Sequence, residues 1–166
     1  MQTLAQNYGL ANYMVPLVRA NDTSSAVSTQ ACWLSLKGYS KVTFIVQCGA
    51  MSEADTTIKV HQAKSVSGTS VSSTALAMTH YWSNKAGATT AILTRTATTS
   101  SAIVVDSTAN ATYAFEVDAK QLNATSDYDC VGLVFAAVSS STCMGILAIL
   151  HDPRYAADPM YVDANA

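Results

Sequence analysis

Hydrophobic and polar residues alternate in several short stretches of the chain. Residues 41–48 alternate with a single break at Ile45, and residues 56–63 and 112–118 repeat the pattern. A period of two places successive side chains on opposite faces of a β-strand, so these segments predict half-buried antiparallel strands. The side chains expected to point inward are Val42, Phe44, Val46, Cys48, Ile58, Val60, Tyr113, Phe115 and Val117.

Two later segments, 130–138 and 143–150, are continuously apolar and predict strands in the middle of a sandwich. Asp118 follows the 112–118 strand and can act as the N-cap of one helical turn. Weaker strands are predicted at 31–36, 74–82, 91–95 and 103–106. Turns are predicted at 37–40 and 83–87.

About eight short strands with almost no helix predict an all-β fold, an antiparallel β-sandwich or jelly roll with extended N- and C-terminal arms. Residues 1–30 are expected to form the N-terminal arm, in which Pro16 favours an edge strand. Residues 31–150 form the sandwich domain. Residues 151–166 form a C-terminal tail, since Pro153 and Pro159 disfavour its continuation of a sheet.

Few residues of this chain are charged, and this limits the classes of partner that it is expected to bind. Of 166 residues, 12% are charged, and the formal net charge is −2. The few basic residues are scattered, so no nucleic-acid-binding surface is expected. No membrane span is expected either, because polar residues at 139–142 divide the most apolar stretch into halves shorter than the about 20 residues a membrane helix needs. A surface poor in charge favours contact with other protein.

The four cysteines, Cys32, Cys48, Cys130 and Cys143, are single and lie far apart in apolar surroundings. Without a C-x-x-C pair, neither a zinc site nor a thioredoxin-like motif is predicted. Buried free thiols are favoured over disulfides, although the even number leaves pairing open.

Residues able to perform catalysis are few. His61 is predicted on the polar face of a strand, His80 begins an aromatic run, and His151 is followed by Asp152, whose side chain points to the opposite side of an extended chain. No G-x-S-x-G motif accompanies them. These observations predict a protein that is not an enzyme.

Acidic residues also give no recognisable site. Glu53 and Glu116 are the only glutamates, and neither lies in the aromatic surroundings of a glycosidase cleft. Residues 127–129, Asp-Tyr-Asp, could bind calcium loosely but favour a turn. No cofactor or metal is therefore predicted.

Several segments in order resemble small virion structural proteins of tailed bacteriophages, similar to capsid decoration (cement) proteins. The resemblance covers residues 30–156 and departs at the Ala/Thr-rich segment 86–99. The segments that carry it are CWLSLKGY (32–39), VTFIV (42–46), IKVHQA (58–63), YAFEVD (113–118), YDCV (128–131) and DPRY (152–155).

This resemblance implies a jelly-roll-like sandwich on the exterior of the capsid of a virion, made in the host cytoplasm. The expected partner is the major capsid protein of the same virion, whose neighbouring copies it would bridge. A homo-oligomer, dimer or trimer, is also expected. The family has no catalytic residues to transfer to this chain.

The two arms carry the candidate partner contacts, because Tyr, Met and Arg are enriched at protein interfaces. The alternative is that both arms fold back on their own domain. The candidate residues are Tyr8, Tyr13, Met14, Arg154, Tyr155, Met160 and Tyr161.

Two other functions remain open from the sequence. A tail or head-tail accessory protein could use the same sandwich. A carbohydrate-binding β-sandwich would need aromatic residues for stacking, and the candidates are Trp33, Tyr81 and Trp82. Trp33 has apolar neighbours and is expected in the core, which leaves Tyr81 and Trp82.

Overall fold

The computed structural model of the protein describes an all-β fold of eleven strands and two single-turn 3₁₀ helices. The described residues are 9–19, 33–49, 56–66, 73–85, 92–105, 110–135 and 142–154. The strands are β1 (Gly9–Arg19), β2 (Leu34–Ser35), β3 (Tyr39–Cys48), β4 (Thr56–Ala63), β5 (Ser73–Ala75), β6 (His80–Lys85), β7 (Thr94–Ala97), β8 (Ala102–Val105), β9 (Ala111–Asp118), β10 (Cys130–Phe135) and β11 (Thr142–Pro153). The helices are Ala119–Gln121 and Ala124–Ser126. No helix in these ranges is long and apolar enough to cross a membrane.

The strands form two antiparallel sheets that pack face to face. The six-stranded sheet has the order β1-β11-β3-β9-β6-β7, and the five-stranded sheet has the order β2-β10-β4-β5, with β8 also paired to β4. The predicted all-β antiparallel sandwich is therefore confirmed. The strands outnumber the about eight predicted because the segment predicted as one strand at 74–82 contains two, β5 and β6, and because the N-terminal arm contains β1.

The core between the sheets consists largely of the side chains that alternation predicts to point inward. All nine of them are buried in one cluster, together with Ile146, Ala148 and Leu150 from β11. The rings of Tyr113 and Phe115 stack with their centroids 6.3 Å apart. Burial of each large apolar side chain stabilises the fold by about 1.5–3 kcal/mol, so this cluster is the main source of stability.

Strands β5 and β8 lie end to end along one edge of β4, like two halves of a single strand. β5 pairs with the second half of β4 and β8 with its first half. At the junction, the carbonyl of Val60 accepts the N–H of Leu76, while its N–H donates to the carbonyl of Ser101. The chain between Leu76 and Ser101 leaves this sheet and adds the β6–β7 hairpin to the other sheet.

This crossing corrects two sequence predictions. Residues 74–82 are not one strand, because the chain passes between the sheets at 76–79, and residues 83–85 continue β6 rather than forming a turn. Leu76 and Met78 are buried during the crossing. Alternation is thus preserved while the chain changes sheets, and the pattern alone shows no break. The strand predicted at 91–95 is β7, displaced to Thr94–Ala97.

The two ends of the sandwich also differ in part from expectation. β1 pairs with β11 and is the end strand of its sheet, a position in which Pro16 is tolerated. β11 continues three residues past the predicted boundary at 150, and Pro153 pairs in register with Tyr39. Pro153 is compatible with this pairing because it is the last residue of the strand, where its missing N–H disturbs the ladder least.

The short turn after β9 is confirmed. The helix Ala119–Gln121 follows Asp118, whose backbone N–H donates to Oε1 of Gln121 over 3.0 Å. The N–H of Leu122 closes the turn on the carbonyl of Ala119. Residues 136–138, predicted to end the strand at 130–138, lie outside the described residues.

Candidate functional site

The predicted contact residues fall at separate places. Tyr13 and Met14 lie in β1, where Met14 pairs in register with Ile146. Arg154 directly follows β11, is exposed, and donates its backbone N–H to the carbonyl of Gly38 over 2.9 Å. Tyr8, Tyr155, Met160 and Tyr161 lie outside the described residues.

Met14 and Arg154 do not form one site. Arg154 follows the partner of Met14 by eight positions along the chain, which corresponds to roughly 26 Å of extended strand. The start of β1 lies closer to Arg154, because Gly9 pairs with Leu150, four positions before Arg154. A contact surface that uses both Met14 and Arg154 would have to extend along much of β11.

The outward face of the six-stranded sheet carries an apolar row that the sequence analysis did not identify. Leu147 pairs in register with Ile45, Ile45 with Ala114, and Ala114 with Trp82. Leu147 is 40% exposed, whereas Ile45 and Trp82 are half-buried. We call these four residues, on β11, β3, β9 and β6, the outer row.

Polar side chains border the outer row on both sides, and the half-buried Ile149 of β11 lies opposite Thr43 in one of these border rows. On one side, Thr43 Oγ1 and His151 Nε2 are 2.9 Å apart, and Lys41 Nζ is 2.7 Å from Glu116 Oε1. The register row on the other side carries Gln47, Thr112 and Asn84. An apolar centre with a polar border is the usual arrangement of a protein–protein contact.

One sequence signal did point to this face. Ile45 is the residue that breaks the alternation of 41–48, and Leu147 lies in the continuously apolar segment 143–150. Both are apolar residues on the face of their strand that points away from the core. Their alignment depends on the register of four strands that are distant in sequence, which no single segment reveals.

The aromatic residues considered for stacking do not form one platform. Tyr81 packs against the main core, with its ring centroid 6.4 Å from those of Tyr113 and Phe115. Trp82 lies on the opposite face and meets the ring of His80 edge-on at 4.5 Å. Trp33 is buried, as expected. A sugar-stacking surface would therefore have Trp82 as its aromatic residue from this set.

The histidines are bound to neighbouring hydroxyl groups. His61 is half-buried, and its Nδ1 lies 3.4 Å from Oγ of Ser73. Burial, and to a lesser extent the charge of Lys59, lower its pKa below the ordinary value. Nδ1 of His80 lies 2.8 Å from Oγ1 of Thr79. Within the described ranges, no group of three or more His, Cys, Asp or Glu side chains could hold a metal ion.

Residues 127–129 act in a turn. Asp127 adopts a left-handed conformation with φ of 60° and ends the second 3₁₀ helix. Asp129 pairs with Lys37 over 2.9 Å and accepts a hydrogen bond from the thiol of Cys130 at the same distance. Both carboxylate oxygens of Asp129 thus have partners within the fold.

The segment before this turn is anchored by the buried amide of Gln62. Its Oε1 accepts the N–H of Asn123 over 2.8 Å, and its Nε2 donates to Oγ1 of Thr74 over 3.0 Å. A buried amide with both ends satisfied holds its neighbours in a defined geometry. Gln62 therefore ties the connection between β9 and β10 to β4 and β5.

Cys48 and Cys130 are buried thiols that are not part of a disulfide, which agrees with the prediction for those two residues. Burial, together with the adjacent Asp129 carboxylate, raises the pKa of Cys130 to about 12. A thiol that stays protonated is a poor nucleophile. The side chains of Cys32 and Cys143 lie outside the described part of the chain.

Comparison with known proteins identifies no relative of this chain. The chain matches no protein-family model, no curated protein and no solved structure. The structure defines the class, a two-sheet antiparallel β-sandwich, and function has to be argued from its surface.

Proposed function

We propose that this protein is a non-enzymatic structural component of a phage virion that decorates the capsid exterior and bridges neighbouring major capsid proteins. The observation that carries the proposal is the outer row with its polar border, an arrangement over four strands that is typical of protein-contact surfaces. The order of sequence segments that resembles decoration proteins supports it.

The position of the outer row on an open sheet face suits a capsid better than a small ligand. Small-molecule sites are concave and enclose most of the ligand. The outer row instead lies across the face of a sheet, where Leu147 is exposed and its neighbours Ile45 and Trp82 are half-buried. A partner with a broad apolar surface of its own would cover it.

A decoration protein stabilises the capsid because its binding is thermodynamically coupled to assembly of the shell. It binds the assembled shell in preference to separate subunits, so each bound copy shifts the equilibrium toward the shell by mass action. A sandwich whose core is complete without a partner can fold first and bind later. The described core meets this requirement, since it is buried within one chain.

The proposal is tested by substitution of an exposed residue in the outer row. Leu147→Lys places a charge in the apolar centre, and we expect it to lower the affinity for assembled capsids about tenfold or more. The matched control is Val104→Lys, because Val104 is 57% exposed but belongs to β8 of the other sheet. Binding is measured by cosedimentation with capsids, and thermal unfolding checks that both variants fold.

Three outcomes would contradict the proposal in different ways. Absence of saturable binding of the unsubstituted protein to capsids would reject capsid decoration. Cosedimentation with tails instead would favour the tail or head-tail accessory function. If Leu147→Lys and Val104→Lys lowered the affinity for capsids equally, the outer row would not be the contact surface.

A further inference from the structure

The six-stranded sheet ends at β7 with an edge that no described strand covers. All four residues of β7 are exposed, and the two residues before it, Ile92 and Leu93, are 71% and 39% exposed. The outer edge of a strand presents unpaired N–H and C=O groups to any other extended chain.

The other sheet edges carry features that impede such pairing. β1 contains Pro16 and two register shifts, β2 has two residues, and the β5–β8 edge is interrupted where the hairpin leaves it. Prolines, irregularities and short strands are the usual protection of edges. Residues 92–99 (ILTRTATT) have no proline or glycine, one charge and many β-favouring residues.

The hydrogen bonds to β6 determine which groups of β7 are free. Thr98 donates its N–H to the carbonyl of Thr79 over 3.0 Å. Because backbone groups of successive residues point to alternate sides of a strand, Thr94 and Thr96 also face β6. The N–H and C=O groups of Arg95 and Ala97 therefore point away from the sheet.

We infer that β7 pairs antiparallel with β7 of a second copy of this chain, about a twofold axis between the two copies of Thr96. The pairing joins the six-stranded sheets of both copies into one continuous sheet. Each Arg95 then lies opposite Ala97 of the second copy, and each Leu93 lies opposite Thr99. The inference concerns self-association and does not depend on capsid binding.

The alternation of free groups selects this register. Antiparallel partners must both present outward-facing residues, so a central axis passes through either Arg95 or Thr96. An axis at Arg95 would place two like charges directly opposite, which destabilises a strand pair. The axis at Thr96 brings threonines together and separates the arginines. The strand is thus complementary to itself, and a closed twofold dimer satisfies both edges at once.

Ala97→Pro tests the use of this edge. The substitution removes an N–H that faces outward and leaves the bonds between β7 and β6 in place. Sedimentation velocity of the full chain should show a concentration-dependent dimer, weakened about tenfold or more by Ala97→Pro. Ala97→Val, which retains the N–H, is the control and should associate like the unsubstituted protein.

Oppositely charged variants test the register and remain informative if the proline variant does not fold. Ala97→Glu places a carboxylate opposite Arg95 of the second copy and should tighten the dimer, while Ala97→Lys should weaken it. Two such pairs form per dimer, so each change is expected to be about two- to thirtyfold.

The inference is overturned if the unsubstituted protein is monomeric at every concentration, or if Ala97→Pro folds and dimerises as strongly as Ala97→Val. It is also overturned if Ala97→Glu and Ala97→Lys shift the dimer constant in the same direction. Capsid cosedimentation of the same variants is scored separately, so failure of the decoration proposal leaves these results unaffected.

Discussion

At the scale of single residues, the hydroxyl group of Tyr39 is a point of instability within the core. It is buried and has no hydrogen-bond partner among the described residues. Burial without a partner disfavours ionisation and raises its pKa. We expect Tyr39→Phe to increase the free energy of unfolding by about 1–2 kcal/mol, because an unsatisfied buried hydroxyl is removed without loss of the ring.

Urea unfolding measures this effect. Tyr39→Ala, which also removes the ring, is the contrasting variant and should cost about 3–5 kcal/mol. A decrease in stability on Tyr39→Phe would show that the hydroxyl is satisfied and would reject the interpretation.

Because the pKa of Cys130 is raised, we expect the protein to lose stability at alkaline pH. The pKa of this thiol is raised from 9.0 to about 12 in the folded protein, so the unfolded chain ionises first as the pH rises. Stability conferred by the protonated thiol is complete below pH 9 and is lost progressively between pH 9 and 12. The additional slope is at most about 1.4 kcal/mol per pH unit.

The measurement is the unfolding free energy from pH 8 to 10.5, compared with Cys130→Ser. The serine hydroxyl can still donate to Asp129 but does not titrate in this range. Every other ionisable group is shared by the two proteins. Parallel pH profiles would mean that Cys130 does not contribute to the alkaline loss.

At the scale of elements, the question is whether β1 stabilises its own sheet or serves mainly to bind a partner. It pairs with β11 along Gly9–Arg19, so deletion of residues 1–20 removes a strand and exposes the edge of β11. We expect the thermal midpoint to fall by about 10 °C or more. Deletion of residues 1–8, which keeps β1, is the control. An unchanged midpoint after the longer deletion would instead indicate a free arm.

Sequence alone locates the strands that remain in one sheet and have one buried face. β3, β4 and β9 follow from alternation, because each stays in one sheet and turns one face toward the core. The crossing between β5 and β6 is not predictable, since Leu76 and Met78 keep the pattern while the chain changes sheets.

The candidate surfaces are even less accessible to sequence analysis. The arm residues can be chosen by composition, but the outer row exists only because four strands align in register. The free edge of β7 likewise depends on which strand is last in the sheet. Both are properties of pairing between distant segments, and periodicity within one segment contains no information about them.

At the scale of the whole molecule, the two proposed surfaces are geometrically compatible. A twofold axis between antiparallel strands is perpendicular to the sheet, so a dimer through β7 presents both outer rows on the same side. Two binding faces on one rigid body raise the apparent affinity for a lattice well above that of one face, provided their spacing matches the lattice. Self-association would then strengthen capsid attachment without any new contact.

The position of β11 between β1 and β3 has a consequence for the order of synthesis. β11 is the last strand in the described chain, yet it is the neighbour of the first strand and of the third. While the chain emerges from the ribosome, β1 has no partner and one side of β3 stays open. The six-stranded sheet can therefore be completed only after β11 has been synthesised. Pairing over such long separations is slow, so insertion of β11 between β1 and β3 is expected to be a late step in folding.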